Sequence, residues 1–106
     1  MSTSPKRPQR GRPLGSRSFD PGVAAAFGSV VRAARLEAGI SQEALAYMAN
    51  VERSYFGRVE RGQSQPTLHV VLKVSAALGF DGGDLVSMVQ REIARLSKQK
   101  GKAERG

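Results

Sequence analysis

Arg53 and Arg58 lie five residues apart in the stretch VERSYFGRVERG, which spans residues 51–62 and also carries Ser54 and Tyr55. Guanidinium groups offer planar arrays of N–H donors, and hydroxyls both donate and accept, so the set suits polar recognition more than bond-making. The chain lacks the usual means of catalysis. It has no cysteine, which excludes disulfides, thiolate nucleophiles and cysteine-ligated zinc, and its single histidine, His69, leaves no imidazole pair for metal or acid–base work. No convergent carboxylate pair stands out either. The expectation is a binding protein and not an enzyme, with no metal, no cofactor and no evident small-molecule ligand.

The location of the charge points to the partner. The 106 residues carry a formal net charge of +8. Residues 1–19 hold Lys6, Arg7, Arg10, Arg12 and Arg17 and no acid, whereas residues 20–84 are close to neutral. Residues 85–106 are basic again, with six Lys and Arg against Glu92 and Glu104. Two basic arms around a neutral centre suit a polyanion, the arms attracting it and the centre discriminating. Tails that merely keep the protein soluble are the rival account. No apolar run reaches the roughly 18–20 residues of a membrane helix, and no apolar leader follows the basic start. A soluble, cytoplasmic protein is expected.

The candidate side chains need a scaffold, and hydrophobic spacing predicts an all-α one. Residues 1–19, rich in Pro, Gly, Ser and Arg, show no hydrophobic period and predict a disordered basic arm. A domain over residues 20–98 opens at Asp20 or Pro21, and Phe27, Val30, Val31, Ala34 and Ala38 recur at helical spacing up to Gly39. Ser41 is a good N-cap for a short second helix, with Glu43 in its first turn and Leu45, Ala46 and Ala49 on its apolar face. A third helix follows Asn50 and Val51 and closes at Gly62. Thr67 caps a fourth, with Leu68, Val71, Leu72, Ser75 and Leu78 on one face and Gly79 at its end. The fifth is expected from about Asp84 to Lys98, leaving residues 99–106 as a charged flexible tail.

The second and third helices form the decisive pair. Two short helices that cross steeply need a small residue at the crossing, which Ala46 supplies, and a turn residue tolerant of positive φ, which Asn50 supplies. Phe56 and Val59 then face inward, and the other side presents Arg53, Ser54, Gly57 and Arg58 with Tyr55 at the edge. A helix bearing long donors and held proud of the core is what major-groove readout requires. The stretch from Phe27 to Phe80, above all ARLEAGISQEALA, RSYFGRVERG and the later PTL and ALG, resembles the phage-repressor and Cro-type helix-turn-helix family, often called XRE. Within it, the controller proteins of restriction–modification systems are most similar. The resemblance implies a compact five-helix domain in which Arg53, Ser54, Tyr55 and Arg58 read bases. By the same resemblance Gln42 binds a phosphate and braces the recognition helix, and Ser41, Arg61 and Gln65 lie near the DNA backbone. Arg35 and Glu60 occupy the positions of a partly buried ion pair, with a phosphate clamp as the alternative for Arg35. A homodimer on a pseudo-palindromic site in double-stranded DNA is implied as well.

Several choices stay open at this point. Tyr55 either touches DNA or packs on the core. Gly57 either makes room for the backbone or Tyr55 to approach DNA, or is a neutral surface glycine. In the fifth helix Val86, Val89, Ile93 and Leu96 form an a/d-like seam, expected to meet a second copy while Leu85 and Met88 pack back on the domain. The alternative lays that stripe along the chain's own first and fourth helices. In the arm, Arg10, Gly11 and Arg12 before Pro13 resemble the core of an AT-hook, which fits a narrow minor groove. The functional expectation is a sequence-specific DNA-binding transcriptional regulator. The rival from another class is an antitoxin-like module that binds a partner protein through its helical domain or fifth helix.

Overall fold

The computed structural model describes residues 19–105, with side chains through residue 99. Its first helix, α1 (Pro21–Ala38), starts where Asp20 Oδ1 accepts the N–H groups of Gly22 and Val23, and it stops at Gly39, left-handed at φ 72°. Ser41 Oγ caps α2 (Gln42–Met48) by accepting the Ala44 N–H at 3.0 Å. Then come α3 (Arg53–Glu60), α4 (Leu68–Leu78) and α5 (Gly82–Arg105). Thr67 Oγ1 caps α4, which ends at Gly79, again left-handed at φ 82°. Among the described residues there are five helices and no strand, so the all-α expectation holds.

The fifth helix is longer than the sequence reading predicts. Asp81 Oδ1 accepts the Gly83 N–H at 2.8 Å, so α5 begins at Gly82 and not at Asp84. At the other end it passes Lys98 and continues to Arg105, through residues expected to form a flexible tail. The Lys, Gln, Ala and Arg there are good helix formers, the lone Gly101 costs only about 1 kcal/mol, and cations suit a helix C-terminus.

The core is built around α1, which packs on α3, α4 and α5, while α2 packs on α3 and α4. Val31, Leu45, Phe56, Val59, Val74 and Leu85 are completely buried. Gly28 on α1 lets the backbones of α1 and α3 meet directly, since a Cβ there would run into the carbonyl oxygens of Val59 and Glu60. Two predicted faces need correction. On α4 the inward stripe is Val71, Val74, Ser75 and Leu78, which follows i, i+3, i+4, i+7 spacing. Leu68 and Leu72 fall at its edge and are 69% and 52% exposed.

On α5 the expected dimer seam is largely spent inside the chain. Val89 is 8% exposed, and Ile93 and Leu96 are half-buried against the same core; Val86 alone of the four is exposed. The reason is the alanine-rich surface of α1, which lets α5 lie close along it. Glu92 fastens that contact: it accepts from Ser29 Oγ at 3.0 Å and from Arg95 Nε and Nη2, both at 2.9 Å. The Arg95 guanidinium, helped by Ser29, holds the Glu92 carboxyl down to about 2. No helix among the described residues is long and apolar enough to cross a membrane.

Candidate nucleic-acid interface

The turn between α2 and α3 is fixed from three directions. Asn50 adopts φ 57°, the left-handed conformation expected of it. The Val51 N–H donates to the Ala46 carbonyl at 2.9 Å, and Lys73 of α4 donates its Nζ to the Asn50 carbonyl at 3.0 Å. Glu52 then starts α3 by accepting the N–H groups of Tyr55 at 2.8 Å and Ser54 at 3.1 Å. Those backbone donors, Tyr55's first, hold the Glu52 carboxyl below the usual carboxylate range. Neither Glu52 nor Lys73 figured among the residues picked out from the sequence. An acid directly before a helical run is a capping signal that would have found Glu52.

α3 is two-sided. Phe56 and Val59 are fully buried together with Ala46 and Ala49 of the α2 region. On the opposite side Arg53, Ser54, Arg58 and Arg61 are exposed, and with Gln42, Gly57 and Gln63 they line an open depression of about 450 Å³. Tyr55 is half-buried against the core, and the Arg58 guanidinium carbon stands 5.7 Å from its ring centroid. That distance allows a cation–π contact which restricts Arg58 before any ligand arrives. Gly57 is buried beneath neighbouring side chains, which corrects the reading of a neutral surface glycine.

A buried polar network sets the height of α3. Glu60 accepts from Arg35 Nε at 2.7 Å and Nη2 at 3.0 Å, and from Gln42 Nε2 at 2.8 Å. Arg35 spends a further donor, Nη1, on the Ile40 carbonyl at 2.9 Å. The hydrogen bond with Glu60 raises the Arg35 pKa, so its charge is permanent. Three helices are therefore tied at one carboxylate.

The other candidates fall elsewhere. Ser41 is exposed at the start of α2, its oxygen engaged as the cap, outside the depression. Gln65 Oε1 accepts the Asp20 N–H at 2.7 Å, linking the α3–α4 loop to the start of α1. His69 is exposed on α4. Arg10, Gly11 and Arg12 lie outside the described residues.

This geometry has close relatives. A family profile described as a helix-turn-helix domain matches residues 26–87. The uncharacterised HTH-type transcriptional regulator YqaF of Bacillus subtilis is 40% identical over 64 residues, covering 60% of this chain and 84% of that protein. The control protein C.BamHI of Bacillus amyloliquefaciens is 39% identical over 61 residues, covering 57% of this chain and 75% of that one. Among solved structures, the restriction–modification controller protein C.Esp1396I, a tetramer in complex with its natural 35 base-pair operator, matches with a TM-score of 0.63 at 28% identity. That match covers 74% of this chain and 99% of the other. Since α2, the Asn50 turn and α3 all lie within the matched span, the chain belongs to the helix-turn-helix domain family.

Proposed function

We propose that this protein is a sequence-specific DNA-binding transcriptional regulator, acting as a homodimer on a pseudo-palindromic operator with α3 in the major groove. The observation that carries the reading is the two-sided α3, buried at Phe56 and Val59 and exposed at Arg53, Ser54 and Arg58. Arg53, Ser54 and Arg58 are assigned to base edges, and Tyr55 to the rim of the groove, where it steadies Arg58. Ser41, Gln42 and Gln65 are assigned to backbone register, Gln42 chiefly as the brace of α3. The operator-bound relative supports the reading. No catalysis is involved, and the protein works in the cytoplasm, on the nucleoid when bound.

A second copy has an apolar surface to cover, although not the expected seam. Leu72 and Val86, the last 43% exposed, lie near the junction of α4 and α5, and Leu68 is exposed one turn before Leu72 on α4. Leu72 overlies Gly82 at the start of α5, and Val71 and Val86 line one apolar cleft. Selection of duplexes from a random pool tests the whole reading. It should enrich two related half-sites spaced about 10–10.5 base pairs centre to centre, or a multiple of that. Arg53→Ala should cost roughly 1–3 kcal/mol and relax the preference at one base pair per half-site. Equal loss on every duplex would count against base readout, and a pool that enriches nothing would end the proposal.

A further inference from the structure

Gly57 stands in the middle of α3 with nothing in its backbone to demand it. Its φ is not among the left-handed ones, which among the described glycines belong to Gly39, Gly62 and Gly79. Glycine is also the poorest helix former after proline, so its presence in an eight-residue helix calls for another cause. The cause is what occupies the space above it. A Cβ on Gly57 would lie 3.1 Å from Arg61 Nη1, 3.3 Å from Gln42 Oε1 and 3.7 Å from Arg61 Nη2.

Helical side chains lean toward the N-terminus, so the residue four positions on covers the one before it. Arg61 follows that rule and folds back over Gly57. Its Nε donates to Gln63 Oε1 at 3.1 Å, which fixes the guanidinium plane from the other side. Its charged end thus sits in the same depression as Arg53, Ser54 and Arg58, on the Arg53–Gly57–Arg61 stripe that would penetrate a groove.

We propose that Gly57 is a specificity-determining slot: lacking a side chain, it lets the Arg61 guanidinium lie across the middle of α3 and read a base pair there, in place of clamping a phosphate. The proposal rests on the DNA-reading role of α3 and adds a fourth base-reading side chain, positioned by a residue that itself touches nothing on the DNA.

The test uses the full-length chain and its Gly57→Ala, Arg61→Ala and doubly substituted variants. Each is selected against a random duplex pool and titrated on the wild-type site and on a scrambled duplex, with thermal melts alongside. Gly57→Ala should melt close to the wild type, because the helix preference of alanine offsets the few tenths of an ångström by which the exposed Arg61 end and the Gln42 amide, held by Glu60, must give way. It should nevertheless bind the wild-type site roughly ten- to hundredfold more weakly and lose preference at one base pair per half-site. Arg61→Ala should relax that same pair, and the double variant should lose nothing more there. If Gly57→Ala keeps every wild-type preference, or Arg61→Ala weakens selected and scrambled duplexes alike, the slot is refuted while DNA reading by α3 survives. A folded wild type that enriches no sequence overturns both. Should Gly57→Ala fail to fold, Arg61→Ala decides alone, since its substitution lies at the helix cap.

Discussion

Glu60 is 6% exposed and receives three hydrogen bonds from two side chains, Arg35 on α1 and Gln42 on α2. A buried ion pair is poor evidence of net stability, because desolvation offsets most of the attraction. Removing one partner is another matter, since it strands the other as an unpaired buried charge. Glu60→Ala should therefore destabilise the domain by about 3–5 kcal/mol in urea unfolding, whereas Arg35→Met joined with Glu60→Leu should recover most of that loss. If the single variant unfolds like the wild type, the carboxylate is not what ties the three helices. At this scale the sequence was partly legible. Arg35 and Glu60 could be paired, and Gln42 marked as a brace, only through the family resemblance. That both meet at the same carboxylate emerged from the structure. The Lys73 bond to the Asn50 carbonyl had no local signature at all, because its partner lies 23 positions away along the chain.

Eight residues cannot hold α3 in shape or position, since isolated helices shorter than about 12–15 residues are marginal in water. Its placement comes from the elements around it: the Glu52 cap, the buried Phe56 and Val59, and the direct backbone contact with α1 at Gly28. Gly28→Ala should cost about 1–3 kcal/mol, because the added methyl meets two main-chain carbonyls that can yield only if the helices part. The melting temperature of that variant is the check, and a melt equal to wild type would mean that α1 and α3 have slack at the crossing. Element ends were readable because capping is local: Asp20, Ser41, Thr67, Gly39 and Gly79 all act where the sequence suggested. Element faces were less so. Leu68 and Leu72 fit a helical period as well as Val74 does, and only the positions of α2 and α5 decide which of them is covered. The α5 stripe is ambiguous for the same reason, as nothing local says how closely an alanine-rich α1 will let it approach, and the structure takes the alternative in which Val89, Ile93 and Leu96 face the chain's own core.

For the molecule as a whole, charge and recognition are divided between segments. Residues 20–84 are nearly neutral, so on the proposed reading the few arginines of the α3 face would act by geometry within a domain that exerts little long-range pull. Residues 1–19 hold five cations and no acid. If the arm meets phosphates, each cation that does so releases condensed counterions and steepens the fall of affinity with salt by about 0.9 in the log–log slope. Deleting residues 1–18, which removes all five from each copy, should reduce that slope by up to about 4–5 per bound copy, so about twice that for the homodimer, and it should weaken selected and scrambled duplexes by similar factors. If α3 sets the ratio between the two duplexes, as proposed, that ratio should stay the same. Titrations at several salt concentrations separate the outcomes. An unchanged slope removes the arm from binding altogether. A slope that falls together with the specificity ratio would instead assign sequence reading to the arm, as the Arg10–Gly11–Arg12 resemblance to an AT-hook suggests. Loss confined to A·T-flanked sites would then identify the minor groove as the surface that the arm reads.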